Sequence, residues 1–222
     1  MATGALFYDR EEGGRALAPQ IAELPLYQPI VLGIPRGGVV TAAALAREIH
    51  ADLDVVIARK IPAPGQSELA LAALSEGGYF QVDERVARLV MVPNGYLAEQ
   101  KIKQSHEIIR RQKLFRGLAD MPDIEGRTVI VVDDGAATGS TLVVALEAVR
   151  ARKPRHLYAA VPVVAPDSIN RIRECCDSFV FVAAPEDFQA VGQFYTSFRQ
   201  VEDQEAANIL HTWVAEQSPA NF

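Results

Sequence analysis

The stretch that decides the fold runs over residues 129–141: Val129, Ile130, Val131, Val132, Asp133, Asp134, Gly135, Ala136, Ala137, Thr138, Gly139, Ser140 and Thr141. The opening run of β-branched residues reads as a strand covered on both faces, as in parallel sheets. Two acids follow, then a loop of small residues, then a hydroxyl-rich helix start. A helix start offers unpaired N–H groups and the positive end of the helix dipole. The backbone of residues 137–141, with the hydroxyls of Thr138, Ser140 and Thr141, can therefore surround a phosphate dianion. Gly135 and Gly139 allow the backbone to turn sharply and approach a ligand. Asp133 and Asp134 are acceptors placed one step before that cradle, where the hydroxyls of a sugar carrying the phosphate would lie. Ribose 5-phosphate fits this order of groups. A P-loop would need wider glycine spacing and a following Lys, and a dinucleotide fold would need Gly-x-Gly-x-x-Gly; neither is present.

Outward from this string, strands and helices alternate. Strands are expected at 29–34, 53–58, 128–132, 156–164 and 178–182. Helices are expected at 39–49, 95–115, 140–150, 167–175 and 203–215, with a short one inside 6–24 bearing Leu17, Ile21 and Leu24 on one face. On the 95–115 helix, Leu97, Ile102, Ile108, Ile109 and Phe115 mark the expected inner face. Such alternation predicts an α/β fold, a doubly wound and mainly parallel sheet, with ligands beyond the carboxyl ends of the strands. A second Gly loop, Gly33-Ile34-Pro35-Arg36-Gly37-Gly38, follows the first strand, and Arg59-Lys60 ends the second. Residues 61–78, with Pro62, Pro64, Gly65, Gly77 and Gly78, read as a mobile lid. The expected organisation is one domain over 1–222, with a core at about 28–185 and small caps at 1–27 and 186–222.

Composition narrows the function. Among 222 residues, 22 are Lys or Arg and 28 are Asp or Glu, a net charge of −6 that argues against a nucleic-acid-coating surface. No apolar run approaches the roughly 20 residues of a membrane span. Asp9, Arg10, Glu11 and Glu12 stand where a signal peptide would be apolar, so a cytoplasmic protein is expected. Cys175 and Cys176 are adjacent and suit neither a disulfide framework nor a Cys-x-x-Cys site, so they read as buried packing residues. The four histidines show no ligand spacing, so a metal is expected to arrive with the substrate.

The string 129–141 resembles the 5-phosphoribosyl-1-pyrophosphate (PRPP) motif of type I phosphoribosyltransferases. The resemblance implies that Asp133 and Asp134 hold the ribose hydroxyls and that residues 136–141 hold the 5′-phosphate. Residues 33–38 are similar to the family's pyrophosphate loop, which often contains a cis non-proline peptide, and this assigns Arg36, Gly37 and Gly38 to the leaving group. The family's loop after the second strand, which closes over PRPP and often adds a cation, makes Arg59 and Lys60 the candidates for that role. Arg59-Lys60-Ile61-Pro62-Ala63-Pro64-Gly65, Glu68, Ala160-Val161-Pro162-Val163 and Ala190 to Tyr195 are similar to bacterial phosphoribosyltransferase-domain proteins of undefined acceptor. The implied activity is transfer of ribose 5-phosphate from PRPP to a small nitrogenous acceptor, with Mg²⁺ and release of pyrophosphate. A non-catalytic PRPP or nucleotide sensor and a ribose-phosphate hydrolase are the other readings; a homodimer is compatible with all three. Two departures stand out. Ala137 replaces the Asp that hypoxanthine-type enzymes use on a purine proton, which disfavours hypoxanthine and guanine. Gly135 replaces a bulky apolar residue, which implies a looser loop. Phe7, Tyr8, Phe188, Phe194, Tyr195 and Phe198 are aromatics available either to the core or to an acceptor ring.

Overall fold

The computed structural model describes residues 4–117, 119 and 121–217, without the side chains of Ser67 and Glu68. The outer ends of both expected caps and the Glu68 side chain therefore lie outside the described residues. Five parallel strands form the central sheet: β1 Ile30–Gly33, β2 Asp52–Val55, β6 Thr128–Val132, β7 His156–Val163 and β8 Ser178–Ala183, set side by side in the order β2-β1-β6-β7-β8. The β-branched run of β6 is buried at every position, as expected for a strand between two layers. Helices α1 Arg10–Ala22, α2 Gly37–Glu48, α5 Ser140–Arg150, α6 Ile169–Arg173 and α7 Asp203–Gln217 flank the sheet. The fold is thus the α/β arrangement expected. Among the described residues no helix is long and apolar enough to cross a membrane.

Two expectations are corrected. Residues 61–78 are not a structureless lid. Strands β3 Ala58–Ala63, β4 Gln66–Ser75 and β5 Phe80–Val82 form a separate antiparallel sheet, followed by α3 Glu84–Leu89 and α4 Tyr96–Arg116. Pro62 survives in this hairpin because the ladder shifts register on both sides of it. The second correction concerns α4: Ile108 and Phe115 are buried, but Ile102 and Ile109 are exposed. The helix packs over a narrower stripe than its apolar residues suggest.

The first helix is more than a cap. Leu17 and Ile21 are fully buried in the largest apolar cluster, beside Val39, Leu45 and Ala46 of α2, with Leu24 packed at its edge. The contact is close because Gly14 of α1 lies against the Thr41 carbonyl, where a Cβ would overlap it. Cys175 and Cys176 are half-buried rather than buried, and both are free thiols.

Candidate functional site

The carboxyl edge of the sheet is where the two Gly loops meet. Strand β1 pairs with β6 so that Gly33 lies beside Val132, and the Ile34 amide donates to the Val132 carbonyl at 2.8 Å. The peptide between Pro35 and Arg36 is cis. Beyond it, Gly37 and Gly38 begin α2 directly against the two acids. A Cβ at Gly38 would lie 2.9 Å from Asp133 Oδ1 and 2.8 Å from the Val132 carbonyl oxygen, and one at Gly37 would overlap Asp134 Oδ2. No other residue type fits at either position without moving an acid.

The loop after β6 is pinned on its far side. The Ala136 amide donates to the Val163 carbonyl at 2.9 Å, and the Ala165 amide donates back to the Ala136 carbonyl at 2.8 Å. Gly135 fills a tight space, since a Cβ there would stand 2.5 Å from Val191 Cγ1. The expectation of a looser loop is therefore corrected: the volume of the missing side chain is occupied by Val191. Gly139 caps α5 with φ of 66°, a left-handed conformation that favours glycine. Having no side chain, it consumes none of the first-turn amides. The Ser140 hydroxyl is buried 3.1 Å from Thr138 Oγ1, while Ala137, Thr138 and Thr141 are exposed. Ser168 Oγ donates to the Ala137 carbonyl at 2.5 Å, and Arg171 reaches Ser140 Oγ at 3.5 Å.

The acids differ in surroundings. Burial, reinforced by the Asp134 charge, pushes the Asp133 carboxyl well above the usual carboxylate range; its Oδ1 accepts the Asp134 amide at 2.9 Å. Burial also raises Asp134, but a direct hydrogen bond and the positive charge of Arg10 pull it back. Arg10 Nε donates to Asp134 Oδ2 at 2.7 Å, and the Tyr195 hydroxyl donates to the Asp134 carbonyl at 2.6 Å. Burial and the neighbouring Asp134 charge raise the Tyr195 phenol.

The cations assigned by resemblance lie on different elements. Arg36, at the start of α2, is about one-third exposed and faces Glu202 at 3.6 Å and Asp203 at 3.9 Å. Lys60 is half-buried on β3, opposite Ala73, not at the end of β2 as expected. Its neighbour Arg59 donates to Gln104 of α4 at 3.0 Å. Side chains alternate along a strand, so Lys60 belongs to the other face of the hairpin. The aromatics are packed together. Phe7, Phe194 and Tyr195 are buried in one cluster with Phe188 and Phe198 at its edge, while Tyr8 is exposed. The Phe198 ring stacks on Tyr195 and lies 3.8 Å from the Arg10 guanidinium carbon.

Sequence reasoning missed Arg10, Tyr195 as a partner of Asp134, Ser168 and Arg171. One signal for Arg10 was present: a cation in the first turn of a helix opposes the dipole, so its place needs a tertiary reason. The other three reach the loop from distant positions and carry no local signature.

The phosphoribosyl transferase domain family matches residues 7–195. The chain belongs to the phosphoribosyl transferase domain family. A Mycobacterium tuberculosis protein named "Putative phosphoribosyl transferase Rv0571c" is 38% identical over 205 residues, covering 92% of this chain and 46% of that protein. This family member thus spans about half the length of the curated relatives it first matches. The crystal structure of TT1426 from Thermus thermophilus superposes with a TM-score of 0.85 at 38% identity, covering 93% of this chain and 98% of that one. A Lactobacillus gasseri uracil phosphoribosyltransferase is 27% identical over 58% of this chain and 59% of its own length.

Proposed function

We propose that this family member transfers the ribose 5-phosphate group of PRPP to a nitrogenous acceptor, the whole chain acting as one domain. The observation that carries the reading is the contact of Gly37 and Gly38 with Asp134 and Asp133. It supports the reading because it brings the acid pair between residues 136–141, the proposed phosphate cradle, and the second Gly loop, the proposed pyrophosphate site. In this reading Asp133 and Asp134 accept from the ribose diol, and the amides and hydroxyls of residues 136–141 hold the 5′-phosphate. Arg36, the Gly37 and Gly38 amides and Lys60 neutralise the charge that grows on pyrophosphate as the C1–O bond breaks. An acceptor nitrogen then attacks the oxocarbenium-like sugar from the opposite face, and positioning supplies most of the acceleration.

Among the described residues no cluster of three or more His, Cys, Asp or Glu is arranged to hold a metal. In this reading Mg²⁺ comes mainly with the oxygens of PRPP, the hard ligands that ion prefers. When bound, the ion supplies further neutralisation of the pyrophosphate charge.

The test is pyrophosphate release from PRPP and Mg²⁺ with a panel of nitrogenous acceptors. Acceptor-dependent release is the expected result. Hypoxanthine and guanine should be poor acceptors, because Ala137 offers no carboxylate to a purine proton. PRPP binding without turnover would favour a sensor, and acceptor-independent turnover a hydrolase.

A further inference from the structure

Arg10 belongs to the first turn of α1, far in sequence from the acids, yet its side chain is only 10% exposed and lies at the junction of three segments. Its Nε donates to Asp134 Oδ2 at 2.7 Å, and its Nη1 donates to the Arg199 carbonyl at 2.8 Å. Its guanidinium stacks on Phe198, and its Nε would be 2.8 Å from a Cβ at Gly37. The guanidinium is thus wedged between the acid, the start of α2 and the strap that precedes α7. A long side chain held on all sides loses little further freedom when a ligand binds. A charge-assisted hydrogen bond to a carboxylate also fixes which of its oxygens remains for other donors.

We propose that Arg10 is a positioning residue for ligand binding: it fixes the Asp134 carboxylate so that its other oxygen faces the ribose diol, which makes the first helix part of the site. The inference rests on the reading of Asp134 as a sugar-binding acid. The groups that act on this ion pair are Asp133 on the same loop and the Tyr195 phenol; Asp9 acts on Tyr195, and Glu205 feels Arg10. Arg10 is the cation among them that touches the acid. Glu205 is already taken by Arg199 at 2.5 Å.

Calorimetric titration of ribose 5-phosphate between pH 5 and pH 9 tests this with wild type, Arg10→Gln, Arg10→Lys, Phe198→Leu and Asp134→Asn. Arg10→Gln keeps bulk and a hydrogen-bond donor but removes the charge. It should weaken binding at pH 7 at least tenfold and move the acidic limb of the binding curve to higher pH, because Asp134 then ionises later. Arg10→Lys should restore most of the affinity and return the limb towards wild type. Phe198→Leu, which removes the ring beneath the guanidinium, should leave the limb in place. Binding by Arg10→Gln within twofold of wild type and with an unmoved limb overturns the proposal, as does a limb moved equally by Phe198→Leu. Should Arg10→Gln fail to fold, an affinity at pH 7 that falls in Arg10→Lys as far as in Asp134→Asn overturns it too. If wild type does not bind ribose 5-phosphate, or Asp134→Asn binds it as well as wild type, the parent reading of Asp134 fails instead.

Discussion

Asp133 is held where its charge is unwelcome, and that has a measurable consequence for stability. Burial and the adjacent Asp134 raise its proton affinity in the folded chain above that of an unfolded aspartate near 3.9. Between the unfolded value and the raised one, the folded state binds more protons than the unfolded state. Stability must then fall as pH rises through that window, the reverse of the usual salt-bridged carboxylate. Asp133→Asn removes the buried charge, so it should raise Tm at pH 8 and do little at pH 4, by about 2–4 °C per kcal/mol relieved. Thermal melts of both proteins across this range check it; an equal or lower Tm for Asp133→Asn at pH 8 would show that the site stabilises the ionised form. A residue kept at such a cost reads as functional, and its place after a buried strand was visible in the sequence. For Arg10 only the misplaced cation in a helix's first turn was visible, not its role, because its partner lies 124 positions away.

At the scale of elements, legibility followed local pattern. The spans 128–132 and 140–150 were read with the boundaries that β6 and α5 show, since an all-β-branched strand and a glycine-capped helix carry strong signals. The β3–β4 hairpin was read as a loop for two physical reasons. Pro62, Pro64 and Gly65 suggest a turn-rich segment, and the Leu-Ala-rich run of β4 lacks the β-branched residues that mark strands. What holds the hairpin is also non-local. Arg116, at the end of α4, donates through Nε to both oxygens of Asp54 on β2 at 2.9 Å, pairs with Glu76 after β4, and donates to the Val55 carbonyl at 2.6 Å. Glu76 in turn accepts the Ile57 amide at 3.0 Å, where the chain leaves the central sheet for the hairpin. Two acids sharing one buried guanidinium leave an uncompensated charge if the cation is lost. Arg116→Met should therefore cost about 3–5 kcal/mol. Urea unfolding checks this, and a loss below about 1 kcal/mol would mean that water replaces the guanidinium.

At the scale of the whole molecule, both ends of the chain converge on the proposed ligand site: Arg10 on Asp134, and Glu202 with Asp203 on Arg36. If Arg36 binds pyrophosphate as proposed, the exposed Glu202 competes with that anion for it. Glu202→Gln should tighten pyrophosphate binding severalfold at low salt, within the 0–1 kcal/mol of an exposed pair, and the gain should vanish near 1 M salt, where screening falls to about 3 Å. An unchanged affinity at low salt would remove Arg36 from the leaving-group site. The sharper experiment separates the two ends of PRPP. Replacing Asp133 and Asp134 by Ala removes acceptors for the diol, each charge-assisted bond contributing roughly 1.5–3 kcal/mol. Ribose 5-phosphate and PRPP should both bind more weakly. Replacing Arg36 and Lys60 by Ala removes positive charge at the pyrophosphate end only, so PRPP binding and turnover should fall while ribose 5-phosphate binding holds. Lys60 makes this a demanding test, because it sits on the hairpin and the acids sit on the central sheet. If Lys60→Ala alone leaves PRPP binding intact while Arg36→Ala lowers it, the hairpin contributes no cation. If the double variant loses ribose 5-phosphate as severely as PRPP, residues 33–38 are an ordinary strand-to-helix turn that supports the acids and binds no pyrophosphate.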